Sequence, residues 1–293
     1  MSLIPNKKLN YGSEIFVGVS YLGKDLERFS YKIRPLPTLV SGGVLDTLRQ
    51  PIANIEILMP GIGLSQLSNQ NGGYNLGYEY LSGIPDGQYQ IVFNAGMQNR
   101  RYGILEKKVI LQSGRLNSLG INILPLINPD VPFRQVKTAQ KNKAILASGD
   151  LTLDLTNATL AFPNGREYGD IQATYTTRQN IPFSSLQAVT PTWFFAIQPQ
   201  GVSVAGSVDV SLFIPHDEGQ IQHIPDEGIL VLMIGLERQT QQLLPIGVGV
   251  VVDGKIQAND LPITSLDYIG YAYVDAESQR YFSAVTKRGN YIV

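Results

Sequence analysis

The chain has 293 residues, 43% hydrophobic and 16% charged, with a formal net charge of −1. That balance supports a buried core and argues against disorder. It also leaves no basic stripe to neutralise phosphates, so nucleic acid is not an expected partner. Because cysteine is absent, disulfides, cysteine zinc sites and a thiol nucleophile are ruled out, and the fold must hold by packing.

The length fits about two domains. Residues 1–8 (MSLIPNKK) lack the charged-then-apolar pattern of a secretory leader. The longest apolar run, residues 228–236, is too short to span a bilayer, so no transmembrane segment is expected. The chain is therefore expected to be part of a larger or processed protein, or to travel by another route, as virion and injection-particle proteins do. Residues 14–21 (EIFVGVSY) read as a strand, Gly23-Lys24-Asp25 as a turn, and residues 28–33 as the partner strand, where apolar and polar side chains alternate. Pro35 and Pro37 end it, since proline cannot donate to a ladder. A lone hairpin is only marginally stable. This arm, residues 1–38, must pack on the rest of the chain or pair with another subunit's sheet edge.

Residues 39–128 carry a run of short strands. Residues 42–46 open one, and residues 51–58 form the next, with Ile52, Ile55 and Ile57 offering an inward face. Asn71-Gly72-Gly73-Tyr74 is a tight turn whose glycines can take positive φ. Tyr74, Leu76, Tyr78 and Tyr80 alternate with smaller or polar residues, and Tyr89, Ile91 and Phe93 do the same. Residues 105–111 and 119–124 complete about seven strands, punctuated by Gly and Pro at the spacing of a β-sandwich.

The succession of Asp46, Pro51, Gly73, Tyr74, Pro85, Gly87 and Tyr89 resembles the carboxypeptidase regulatory-like, or transthyretin-like, β-sandwich family; Gln50 stands where glycine is usual. The resemblance covers about ninety residues. It implies a non-catalytic module of a kind often found in tandem in large bacterial surface or secreted proteins.

Residues 129–143 read as a linker, prolines giving way to a polar, basic run. Residues 135–147 are the best helical candidate in the chain. In residues 144–293, Leu151, Leu153 and Leu155 alternate with polar residues, as do Val208, Val210 and Leu212. Residues 169–178, 193–198, 243–252, 269–274 and 281–285 read as further strands. Residues 228–235 form a continuous apolar run, consistent with a strand covered on both faces. The segments FAIQPQGV (residues 195–202), VSLFIP (210–215) and IGVGVVVDGKI (246–256) resemble the ZU5 type of Ig-like sandwich. That resemblance implies an interaction or structural role and no catalytic residues.

Several constellations carry side chains capable of chemistry. His216 and His223 lie with Asp217, Glu218, Asp226 and Glu227 in a near-repeat of Ile-Pro-Asp-Glu-Gly. Histidine with carboxylate can hold a transition metal, but the ligand spacing matches no known site and Asp-Glu-Gly is ordinary turn chemistry. Asp150 and Asp154 share a strand face, yet calcium needs more oxygens than two carboxylates provide. The run Gly61-Ile62-Gly63-Leu64 lacks the third glycine of a dinucleotide fingerprint and reads as a loop. Asn157-Ala158-Thr159 fits a glycan acceptor, a pattern common by chance. Tyr74, Tyr78, Tyr80, Tyr89, Tyr102, Tyr268, Tyr271, Tyr273 and Tyr281 raise the alternative of a carbohydrate-stacking shelf.

The expectation is an all-β chain: an N-terminal β-hairpin arm (1–38), a transthyretin-like sandwich (39–128), a linker (129–143) and a ZU5/Ig-like sandwich (144–293), two consecutive antiparallel β-sandwich domains. No catalytic, cofactor-binding or metal-binding residue is assigned, and no cofactor is expected. The leading reading is a non-catalytic structural or adhesive component of a surface-exposed or extracellular assembly. Its partners are other protein subunits, with homo-oligomerisation through the arm. Alternatives are a virion or contractile-injection-particle protein, and a carbohydrate-binding accessory module of a secreted enzyme.

Overall fold

A computed structural model describes residues 14–32, 38–77, 84–138, 142–185, 193–213 and 227–273. Within them the chain is all-β, and its only helical turns are short 3-10 segments. Strands β1 (Glu14–Tyr21) and β2 (Lys24–Lys32) form an antiparallel hairpin that is a two-stranded sheet of its own. Its turn is Leu22-Gly23, both at positive φ, which suits a two-residue hairpin loop.

Seven strands follow: β3 (Leu39–Asp46), β4 (Glu56–Met59), β5 (Leu64–Leu67), β6 (Gly73–Leu76), β7 (Gly87–Phe93), β8 (Leu105–Leu111) and β9 (Leu116–Leu124). They make two sheets, β6-β3-β9 and β5-β4-β7-β8, which face each other across a core. Val40 and Val44 of β3 meet Ile57 and Met59 of β4, Ile91 and Phe93 of β7, and Leu105 and Leu111 of β8. Each fully buried side chain of this size contributes about 1.5–3 kcal/mol. The β3–β9 pairing is parallel, which alternation alone does not reveal.

The strand expected over residues 51–58 begins late. Pro51 makes a single bridge to Leu45, Asn54 sits at φ 58, and the ladder starts at Glu56. Across the gap, buried Ser68 does the bonding: its Oγ accepts from Ile55 N–H and donates to Ile52 carbonyl.

Thirteen strands follow. They are β10 (Arg134–Lys137), β11 (Lys143–Leu146), β12 (Leu151–Asp154), β13 (Ala158–Ala161), β14 (Tyr168–Thr177), β15 (Ser184–Ser185), β16 (Trp193–Gln198), β17 (Ser203–Gly206), β18 (Val208–Phe213), β19 (Leu230–Glu237), β20 (Gln242–Val252), β21 (Lys255–Leu261) and β22 (Tyr268–Tyr273). The main sheet runs β10-β14-β16-β22-β19-β20-β21-β18-β12-β11, with β15 alongside β20; β13 and β17 pair separately. The sheet curls until its terminal strands β10 and β11 pack together. One continuous sheet therefore supplies both walls of this layer.

Residues 135–147 form no α-helix where described; they contribute β10 and β11, and Ala147 opens a 3-10 turn. The period is two: Val136, Ala144 and Leu146 are buried, while Gln135, Lys137, Lys143 and Ile145 face outward. That repeat fits a half-buried edge strand and not a 3.6-residue stripe.

The central strands β16, β22 and β19 are apolar on both faces. Phe195, Ile197, Val231, Met233, Ile269 and Tyr271 point into the curled sheet's own core. Phe194, Ala196, Ile234, Leu236, Tyr268 and Ala272 point the other way, into the cluster that also holds the core of β3 to β9. The expectation that residues 228–235 include a strand covered on both faces holds for β19. Gly270 makes the close β16–β22 approach feasible, since a Cβ there would lie 2.3 Å from the Trp193 carbonyl oxygen.

Candidate interaction surfaces

The hairpin β1–β2 is the most exposed apolar element described. Its register sets Ile15 opposite Tyr31 and Val19 opposite Glu27, placing Ile15, Val19, Phe29 and Tyr31 on one face. Val19 is 47% exposed, Phe29 40% and Tyr31 58%, with Tyr21 at 67% and the turn residue Leu22 at 87%. Elsewhere, apolar strand residues mostly enter one of the two cores.

A second surface is already occupied from within the chain. Strand β8 is the edge of its sheet, and an open edge invites pairing with another chain. Three glutamine side chains from the curled sheet and its loops cover it. Ile104 N–H donates to Gln198 Oε1 at 2.7 Å, and Gln198 Nε2 donates back to the Ile104 carbonyl at 3.2 Å. Glu106 N–H donates to Gln200 Oε1 at 3.0 Å. Lys108 N–H donates to Gln241 Oε1 at 2.6 Å, and Gln241 Nε2 donates to the Glu106 carbonyl at 3.3 Å. Ile104, just before β8, and then Glu106 and Lys108 within it are thus served in turn, as a neighbouring strand would serve them.

Beside this seam lies a polar cleft of about 380 Å³, lined by Glu106, Lys108, Glu237, Arg238, Gln241 and Asp267 among others. Arg238 organises it. Its guanidinium reaches Glu106 Oε2 at 2.5 Å, the Gly201 carbonyl at 2.9 Å and Asp267 Oδ2 at 3.4 Å. Asp267 Oδ1 accepts from Gly201 N–H at 2.6 Å. Burial pushes the Asp267 carboxyl up to about 6; Arg238 and the Gly201 amide oppose that rise, and Glu106 adds to it. One guanidinium thus clamps two carboxylates and a main-chain carbonyl, an arrangement suited to holding β8 against β19. A wider cleft of about 680 Å³ lies where Arg101, Leu126 and Asn128 meet Asp150 and Thr174.

The residues singled out in the sequence fall in different places. His216, His223, Asp217, Glu218 and Asp226 lie outside the described residues, as do Tyr78, Tyr80 and Tyr281. Glu227 accepts from Gly254 N–H in a turn. Asp154 accepts from both the N–H and the hydroxyl of Thr156, and these bonds hold its carboxyl below the usual range. Asp150 is exposed just before β12. Among the described residues no group of three metal-ligating side chains converges. Residues 60–63 make a 3-10 turn closed by Gly63 in the left-handed region.

The described tyrosines do not form a shelf. Tyr74, Tyr102, Tyr268 and Tyr271 are at most 7% exposed, Tyr89 is half-buried, and Tyr273 stands edge-on to Tyr271 at 5.4 Å. Sequence reasoning missed Gln198, Gln200, Gln241 and Arg238. The available signal was Gln198 and Gln200 lying directly after an apolar strand, flanking Pro199.

No family model matches the chain, and no curated protein matches it. Among solved structures it is similar to the Coh3ScaB–XDoc_M2ScaA complex, a type II cohesin-X-dockerin complex from Acetivibrio cellulolyticus, with 15% identity over 30% of this chain and a TM-score of 0.21. The match spans 56% of that structure's chain. It is also similar to BcpA, the major pilin subunit of Bacillus cereus, with 9% identity, 83% of this chain and 96% of that chain covered, and a TM-score of 0.24. The all-β assignment rests on the chain's own ladders and cores.

Proposed function

We propose that this chain is a non-catalytic structural or adhesive subunit of a surface-exposed or extracellular assembly, joined to other subunits through its N-terminal hairpin. The supporting observation is the hairpin itself: a separate two-stranded sheet with Val19, Phe29 and Tyr31 exposed on one face. Two strands alone are marginal in water, and an exposed strand edge is a template for another chain. The body, by contrast, buries most of its apolar strand residues in two cores and bonds the β8 edge with its own glutamines. We read residues 39–128 as a transthyretin-like, carboxypeptidase regulatory-like module and residues 144–293 as a ZU5/Ig-like one, with residues 129–143 between them.

Light scattering of the full chain and of a chain lacking residues 1–38 tests this. The expected result is an oligomer for the full chain and a monomer for the truncated one, with the melting temperature of the body preserved. Equal mass with and without the arm removes the arm from assembly. Equal mass with a lowered melting temperature assigns it to packing on its own chain.

A further inference from the structure

One cluster inside the β3–β9 sandwich has no part in the surfaces above. Lys107 lies on β8 at the inward-facing register between Leu105 and Val109, half-buried among apolar side chains. Lysine is rarely placed there unless paired. The two salt bridges found among the described residues both belong to Arg238, and neither involves Lys107. The Lys107 Nζ instead meets a carboxamide: it donates to Asn122 Oδ1 at 3.1 Å. Asn122, on β9 of the opposite sheet, is wholly buried. Its Nδ2 is directed to the Gly43 carbonyl and the Tyr74 hydroxyl, each at 3.2 Å, and to the Gly120 carbonyl at 3.3 Å.

We propose that Lys107 and Asn122 are joined, after folding, by an intramolecular isopeptide bond that staples the two sheets of this sandwich. The fold holds the amine at 3.1 Å from the oxygen of a wholly buried carboxamide, and such enforced proximity can replace effective concentrations of about 10⁵ M or more. Burial lowers the Lys107 pKa, increasing the share of the neutral amine, the form with a lone pair to give. The opposing sheet fixes the carboxamide through three acceptors, so the amine meets it in one orientation.

The step balances without any co-reactant. The Lys107 nitrogen forms a bond to Asn122 Cγ, and the Cγ–Nδ2 bond breaks. The departing nitrogen leaves as ammonia, carrying a proton that the lysine nitrogen sheds. The Tyr74 hydroxyl, at 3.2 Å from Nδ2 and kept protonated by burial, is placed to give a proton to the leaving group and regain one from the new amide nitrogen. No oxidation state changes.

The inference is independent of the assembly reading, and its test is intact mass. The purified full chain is expected to weigh one ammonia less than its sequence. Tryptic digestion is expected to yield a branched peptide joining the Lys107 and Asn122 segments, with cleavage after Lys107 lost. Lys107→Ala and Asn122→Ala should each restore the sequence mass, and Asn122→Asp should shed water in place of ammonia. A wild-type chain at its full sequence mass, with Lys107 and Asn122 in separate peptides, overturns the proposal whether or not any variant folds. A loss of ammonia mapping to Asn71-Gly72 or Asn164-Gly165, where succinimide formation sheds the same molecule, overturns it equally.

Discussion

The carboxamide of Gln198 bonds both main-chain groups of Ile104, accepting from the N–H at 2.7 Å and donating to the carbonyl at 3.2 Å. Both residues are buried. Truncating Gln198 to alanine leaves a buried donor and a buried acceptor with no protein partner, which costs roughly 2 kcal/mol. Urea unfolding should show this loss for Gln198→Ala. The exposed Gln239→Ala should stay within about 0.5 kcal/mol of wild type. Equal effects from the two substitutions would mean that water serves Ile104 as well as Gln198 does.

Gly103 is the counterpart of that bond. A Cβ at residue 103 would lie 2.5 Å from Gln198 Cδ, so Gly103→Ala must push the glutamine off Ile104. The two substitutions therefore share one penalty. The double variant Gly103→Ala with Gln198→Ala should be less destabilised than the sum of the singles, with a coupling of about 1 kcal/mol or more. Strict additivity would show that residue 103 strains the backbone by another route.

These pairs show what the sequence could and could not carry. Alternation located β12 and β18 because their side chains meet different environments on the two faces, while β16 and β19 showed as apolar runs because both of their faces are buried. Partners leave no such trace. The parallel β3–β9 pairing and the three glutamines on β8 depend on contacts across 70 to 135 positions. Residues 135–147 read as helical because a short polar stretch with scattered alanines lacks a strong signal of either period. Lys107 was legible in principle: in Leu-Glu-Lys-Lys-Val-Ile-Leu it occupies the same parity as three apolar residues. Asn122, inside an apolar strand end, was equally visible, but their meeting was not.

Asp267 gives the chain a specific dependence on pH. Its folded pKa is raised to about 6 from the ordinary 3.8, burial being the main cause. The native state therefore holds a proton that the unfolded chain releases. The associated stability is fully present below the unfolded pKa and is lost as pH rises through the folded one. Unfolding free energy should fall between pH 4 and pH 6, by at most about 3 kcal/mol at the 1.4 kcal/mol of each pKa unit. Denaturant titrations across that window should show the slope in wild type and its loss in Asp267→Asn. That comparison also separates it from His216 and His223. A slope unchanged in the variant would assign the effect to other groups.

Arg238 holds Glu106 and Asp267 at once, and its loss strands both. Breaking a buried pair by removing one partner costs about 3–5 kcal/mol. The Arg238 side chain is 30% exposed and that of Glu106 15%, so water offsets part of this. Arg238→Ala should cost about 2–3 kcal/mol. Arg238→Lys should recover only part of it, because one ammonium cannot reach Glu106, Asp267 and the Gly201 carbonyl with the geometry of a planar fork. Full recovery by lysine would reduce the cluster to simple charge compensation.

Phe194 and Phe195 are neighbours in β16 yet enter different cores, Phe194 the one shared with β3 to β9 and Phe195 the interior of the curled sheet. Because the first core runs unbroken across the seam, the body should unfold in a single cooperative transition although its sequence reads as two modules. Each phenylalanine replaced by alanine should cost about 3–5 kcal/mol, but with different consequences. Phe195→Ala weakens the curled sheet and should lower one transition. Phe194→Ala removes contact from the shared core, and calorimetry should show the two parts beginning to separate, with a van't Hoff enthalpy below the calorimetric one. Two resolved transitions in the unaltered chain would mean that the seam is too weak to couple the modules, and the glutamine-covered edge of β8 would then be free to open.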